Sequence, residues 1–414
     1  MTVGKRSRLV TAPRDGRTTL ITNQSELRSF MAEIDPGAPV AIDAERAQSF
    51  RYSAKAYLIQ IHQDGCHTRL LDPVALSGAD GVAHLDELAS ALKGCEWVLH
   101  AASQDLPCLA EVGLTPRRIF DTELAGRLLG LDRVALSPML TRYLGIELAK
   151  AHSADDWSRR PLPDTWLSYA ALDVDYLVEL RDAVYRDLQA AGKSGWAEQE
   201  FAEVLERFGG PQTDDPDRWR NTKGLGRLRQ PRELAVVRTL WQVRDELAQQ
   251  SDVAPGRIIA DKALVEAATL LAHTPPDRIE DELVNLAGFT GPLSRRNRQR
   301  WSSAVTQTLG SDPAEWPRRR RNRALPQPRL WERTHPAAWA RWVAARSTLV
   351  DVAEQNNLPA ENLLTVASLA QIVWPDDADF SETGIRAALG TLNARPWQQD
   401  LVAPALADAL SRLG

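Results

Sequence analysis

Val40-Ala-Ile-Asp-Ala-Glu45 is the stretch on which the reading of this chain turns. It is apolar enough to be a buried strand, yet it carries two carboxylates two residues apart. In a strand that spacing points both side chains to one face. Two further acidic positions follow buried-looking segments: Asp105 closes W-V-L-H-A-A-S-Q-D, and Asp173 lies in L-S-Y-A-A-L-D-V with Tyr169 four residues before it. In a helix, residues four apart share a face. Buried carboxylates are costly unless they are paired or bind a metal. Four of them with no evident Lys or Arg partners predict a site for hard divalent cations, and hence phosphoryl-transfer chemistry. Taken singly each fragment has a plainer reading: a chance D-x-E, an Asp105 helix cap, a Tyr169 ring packed in a core.

Around this stretch the pattern is one of strands wrapped by helices. Residues 18–30 read as a short strand and a helix capped by Asn23 or Ser25. Residues 56–62 (A-Y-L-I-Q-I-H) and 67–71 (H-T-R-L-L) read as strands joined by the turn Gln63-Asp64-Gly65. Residues 97–100 form a fourth strand, and one long helix from about 163 to 190 carries Tyr169 and Asp173. The expected fold is an α/β domain with a mixed sheet over 15–208. A turn-rich linker, 209–229, leads to a small all-α block, 230–312. An Arg/Pro-rich linker, 313–336, leads to a second, 337–414. The two blocks align loosely as a degenerate repeat: a helix, a polar turn before Pro255 or Pro359, two apolar residues and another helix.

The 414 residues exceed a single core. No run approaches a membrane span, and the N-terminus lacks the apolar core of a signal peptide. Cys66, Cys95 and Cys108 suit neither a zinc site nor a disulfide framework, so a reducing cytoplasm is expected. Net charge is −5, but residues 291–333 hold eleven Arg against Asp312, Glu315 and Glu332, so that segment is +8 and the remainder −13. A basic strip on an acidic protein fits a phosphate backbone, and equally a solvated linker. Trp316 and Trp331, flanked by Pro and Arg, are expected to be exposed for base stacking; Trp339 and Trp342, three apart, are expected in a core. Carboxylates do not read the sugar, so a nuclease acting on DNA stays open as an alternative, as does a catalytically idle RNA-binding scaffold. No G-x-x-x-x-G-K-[ST] loop accompanies the site.

Together the motifs resemble the DEDD-type 3′–5′ exonucleases and, within them, the ribonuclease D family. Asp43 and Glu45 match the first exonuclease motif, H-A-A-S-Q-D the second, and Y-A-A-L-D-V the third in its tyrosine form, because Ser168 stands where the histidine form has His. The likeness extends over L-L-D-P (70–73), F-D-T-E-L-A (120–125) and 143–162, and over the helical blocks, which resemble two HRDC domains. It implies a ribonuclease H-like exonuclease domain with two Mg²⁺ or Mn²⁺ ions on Asp43, Glu45, Asp105 and Asp173, and a water positioned by Tyr169. The partner it implies is RNA, entered at a single-stranded 3′ end with its structured body held by the helical domains, and its typical substrates are tRNA precursors. After Glu45 the chain reads R-A-Q-S-F-R-Y-S where enterobacterial members have a Phe-containing start, and in the family this stretch lines the terminal nucleotide. Further substrate contacts are expected from Tyr57 and Gln60 on the next strand, although strand packing is the favoured reading for Tyr57. The loop residues Trp157, Arg159 and Arg160 are others, set equally against a loop anchored by one buried tryptophan, as are Arg318, Arg319, Arg320 and Arg321 of the basic run. A monomer is expected, for want of an oligomerisation heptad.

Overall fold

The computed structural model describes residues 7–413 apart from 15, 17, 80, 84, 150–153, 211–214 and 320–324. Arg320 and Arg321 therefore lie outside the described residues. The strands, in chain order, are β1 (Arg8–Val10), β2 (Thr19–Ile21), β3 (Val40–Arg46), β4 (Ala56–His62), β5 (Arg69–Leu71), β6 (Trp97–Leu99), β7 (Ile119–Asp121) and β8 (Ile146–Leu148). β1 and β8 form a parallel pair, and the others make one sheet ordered β2-β5-β4-β3-β6-β7. β3 runs antiparallel to β4 and parallel to β6, so the sheet is mixed. β3 and β4 are central; β4 is buried along its whole length and β3 over Val40–Ile42, as in strands covered on both faces. The β3–β4 ladder slips between Glu45 and Arg46, a bulge that ends the regular pairing just past the second carboxylate.

The helix expected over about 163–190 is two helices, Asp164–Asp175 and Leu177–Ala190, broken at Tyr176, whose φ of −119° and ψ of 8° leave the helical region. Periodicity alone could not reveal the break, because both pieces bury apolar residues. The first piece lies over β3, β4 and β5. The second joins the main core with Thr122–Leu128 and Ser194–Phe208.

Both helical blocks begin with a long helix, Pro231–Ser251 and Pro336–Gln355. Each then turns through a left-handed residue, Asp252 (φ 46°) or Asn357 (φ 48°), into a one-turn helix, Pro255–Ile258 or Ala360–Leu363. The first block has a core of its own, which takes in Trp219 from the segment read as linker. The second block shares the nuclease-side core. There Trp196 stacks on Trp397 at 4.8 Å, Arg395 pairs with Glu200 at 2.7 Å, and Asn357 donates to Leu129 O at 2.8 Å. Gly130 permits that approach: a Cβ there would sit 2.3 Å from Asn357 O.

Trp331 is not exposed; it is wholly buried, packs on Trp342 and Trp374, and donates to Pro326 O. Trp316 is half-buried with its indole N–H bonded to Thr308 O and Ser311 Oγ. Pro and Arg neighbours suggested solvent, but the Trp331 ring packs into the core and the Trp316 N–H bonds the end of the helix Arg298–Gly310. Trp342 is buried and Trp339 packs against the same core. No described helix is long and apolar enough to cross a membrane.

Candidate active site

Asp43, Glu45, Asp105, Tyr169 and Asp173 line one cavity of about 540 Å³. β3 supplies the first two from one face. Helix Asp164–Asp175 crosses that face and supplies Tyr169 and Asp173 from successive turns, so oxygens of Asp43, Glu45 and Asp173 fall within 4.8 Å of one another. Asp105 stands outside that trio, but its carboxyl lies close enough to that of Asp43 for each to shift the other's proton affinity. It occupies the N-terminal boundary of the helix Leu106–Ala110 and makes no capping bond, so its carboxylate is left to the cavity.

A buried carboxylate that the sequence reading passed over holds Asp105 in place. Ala101 has a left-handed backbone (φ 63°), costly for a residue with a Cβ. Asp121, at the end of β7, accepts from the N–H groups of Ala101 (3.1 Å) and Ala102 (2.8 Å), and also caps Thr122–Leu128 through Glu123 N and Leu124 N. Burial raises its pKa to about 6. The signal was present in F-D-T-E-L-A as an N-cap pattern, but only the fold joins it to residues 101–105. His100 lines the same wall, bonds Thr122 Oγ1 at 2.8 Å, and is driven down to about 4 by burial, so it is neutral.

The electrostatics are those of an acid cluster that cannot stay fully ionised alone. Burial raises Glu45 to about 10, with Asp43, Asp173 and Asp105 adding to it. Asp105 and Asp173 lie well above the usual range, from burial and then from Asp43. Asp43 is also raised by burial, against the N–H of Ala44. Tyr169 is raised by burial and by Asp173 and hydrogen-bonds that carboxylate, so its hydroxyl keeps its proton. Arg46, at the bulge, lines the cavity and is the cation whose field opposes the cluster; it too was missed, although it adjoins Glu45. A set of hard oxygen donors that repel one another when ionised fits a divalent cation.

The expected substrate contacts fare differently. Gln60 pairs with Asp43 across the ladder, but helix Asp164–Asp175 seals it at 0% exposure and its amide has no partner among the described residues. Tyr57 is buried, its hydroxyl turned to Ser53 and Asp252. Trp157 is an anchor at 0% exposure, 5.2 Å from Trp166. Arg160 is consumed by a two-pronged pair with Asp72, 2.7 Å on each arm, and by the carbonyls of Tyr57, Trp157 and Arg159. None of these four lines the cavity, because the loop that carries the Trp and Arg folds inward on β4. Arg159 is exposed outside the cavity lining, and Arg318 and Arg319 are exposed. The wall after Glu45 is made instead by Ala47, Gln48, Ser49 and Phe50.

A family model described as "3'-5' exonuclease" matches residues 18–189. One described as HRDC matches 233–303, and one described as "3' to 5' exonuclease C-terminal domain" matches 324–410. The second block is thus matched under a description other than HRDC. Ribonuclease D of Zymomonas mobilis is 31% identical over 309 residues, 72% of this chain and 75% of that one. Ribonuclease D of Escherichia coli is 27% identical over 86% of this chain and 89% of that one. Among solved structures, a protein from Bifidobacterium adolescentis superposes with a TM-score of 0.87 at 32% identity, over 98% of this chain and all of the other. Escherichia coli RNase D, described as an exoribonuclease involved in structured RNA processing, gives 0.69 at 23% over 96% and 99%, a likeness of fold.

Proposed function

Since the chain belongs to the ribonuclease D family and is a 3′–5′ exoribonuclease that binds RNA, we propose how its cavity performs the cleavage. Asp43, Glu45, Asp105 and Asp173 hold two divalent cations, Mg²⁺ or Mn²⁺. The observation that carries this is the convergence of three carboxylate oxygens within 4.8 Å, with their proton affinities raised by burial and mutual repulsion. Such a cluster exchanges protons for metal charge. When bound, the cations supply the Lewis acidity that activates a water and steadies the leaving oxygen.

The side chains do the rest. Tyr169, kept protonated, donates to Asp173 and uses its oxygen lone pairs to orient the attacking water toward the last phosphodiester. Asp121 fixes the turn that presents Asp105. The 3′-terminal nucleotide, unpaired, sits against the 47–50 wall, and a 5′-nucleotide leaves. The helical blocks and the exposed Arg318 and Arg319 hold the body of a structured RNA, tRNA precursors being the proposed class. The proposed state is a monomer.

The test is a time course on 5′-labelled RNA and matched DNA, with Mg²⁺ or Mn²⁺, for the wild type and Asp173→Asn. Shortening from the 3′ end that chelator and the substitution both abolish is the expected result, with RNA cut faster than DNA. Binding without cleavage under either metal would leave only a scaffold.

A further inference from the structure

The cavity wall at 47–50 lies beyond the bulge that ends the β3–β4 pairing. β4 does not begin until Ala56, so the backbone between them has little ladder to lean on. Within itself the wall has one tight turn, with Phe50 N and Arg51 N both donating to Ala47 O. What fixes it from outside is the first helical block. Arg257 Nε donates to Ser49 O at 2.7 Å, and its guanidinium lies 4.2 Å over the Phe50 ring. Ala254 N donates to Phe50 O at 3.0 Å. Asp252, at the left-handed turn that ends Pro231–Ser251, accepts from Ser53 N at 3.0 Å and from Tyr57 at 3.4 Å. Tyr52 donates to Asp245 at 2.9 Å, deeper in the same block. The nuclease side contributes Arg51 to Ser158 Oγ at 2.8 Å.

Three backbone groups of this segment, Ser49 O, Phe50 O and Ser53 N–H, are thus satisfied by the helical block. No residue of that block lines the cavity. We infer that the first helical block is a structural part of the terminal-nucleotide site, with Asp252 and Arg257 as positioning residues that set the 47–50 wall. This goes beyond holding the RNA body: the block shapes a surface that it never presents to the substrate. Unpaired carbonyls and an unsupported aromatic would let the wall sample other conformations. Affinity would then fall by the fraction of time that the wall is misplaced.

The inference rests on the proposed reading of the cavity as the RNA 3′-end site, and its test separates the two. A trinucleotide is short enough to fill the cavity without spanning the helical block. Its dissociation constant is measured by equilibrium binding in the non-cleaving Asp173→Asn protein, with and without Asp252→Ala or Arg257→Ala. A long structured RNA is measured beside it. Either substitution is expected to weaken both ligands by about tenfold, the loss of one charge-assisted hydrogen bond. Mn²⁺ binding to the RNA-free protein should stay unchanged. Asp252→Asn, which still offers an oxygen to Ser53 N–H, should restore most of the affinity. Trinucleotide affinity unchanged while long-RNA affinity falls would overturn the inference and make the block a tether. A parallel loss of Mn²⁺ affinity and thermal stability would overturn it too, by reducing the contact to general support of the fold. Turnover of the trinucleotide by the wild type reports separately on the catalytic reading.

Discussion

Tyr169 and Asp173 sit one helical turn apart, and their chemistry differs because only one is a metal ligand in the proposed scheme. Tyr169→Phe removes the hydroxyl but keeps the ring that packs beside the sheet. It is expected to lower kcat by about 10²-fold, the scale of a positioned proton-transfer group, while Mn²⁺ affinity measured calorimetrically stays near wild type. Glu45 gives a pH prediction. Its folded pKa is about 10, above the ordinary 4.5, so without metal the folded state favours the protonated form. Stability from this group is therefore full below about pH 4.5 and is lost as pH rises toward 10. A divalent ion reverses the preference, because it needs the carboxylate. The rise in Tm caused by Mn²⁺ should grow from pH 5.5 to 8; an equal rise at both would contradict the assignment. Asp43 and Glu45 were legible in V-A-I-D-A-E because strand alternation is local. Asp121 was not, because its partners are some twenty residues away on another turn.

At the level of elements, the loop 156–163 carried the most misleading sequence signal. A Trp and two Arg before the helix of the proposed Tyr169 and Asp173 look like substrate ligands, yet Arg160 is turned inward to Asp72, which is only 5% exposed on its side chain. Arg160→Ala leaves that carboxylate nearly buried without its counter-ion, held only by the N–H groups of Val74 and Ala75. With a quarter of the Arg160 side chain open to water, a cost of about 2 kcal/mol is expected, below that of a fully buried pair. Denaturant unfolding should register it, while KM for a trinucleotide moves little; a large KM change with no loss of stability would return Arg160 to the substrate. The break at Tyr176 belongs to the same scale. It frees the helix that bears Tyr169 and Asp173 to follow the sheet, while Leu177–Ala190 follows the core behind it.

Across the whole molecule, the two helical blocks repeat one motif and use it on different sides of the nuclease domain. Asp252 grips the wall beside the cavity, and Asn357 grips the turn at Leu129 and Gly130. Their cores differ: the first block is closed on itself, whereas the second is continuous with the nuclease core. Two calorimetric transitions are expected in consequence, the first block melting apart from a joint unit of the other two. Trp397→Ala removes the stack on Trp196 and should lower the joint transition, by about 3 kcal/mol at its midpoint, leaving the other in place. One cooperative transition shifted as a whole would contradict the division.

The chain's own order of residues determined the mixed α/β domain, the two helical blocks, and which four acids and one tyrosine gather at the site. Each of these follows from periodicity of two or 3.6 residues, or from the cost of burying charge, and both act over short stretches. Tertiary structure alone decided which other polar groups reach the cavity. Tyr57, Gln60 and Trp157 are buried away from it, Arg160 is turned to Asp72, and Arg46 and the 47–50 wall face it. It also decided that Trp331 is core, and that Asp252 and Arg257 stand behind the wall. The reason is physical: a side chain's partners across a hundred or two hundred residues depend on how sheets, loops and helices dock, and no local spacing encodes that.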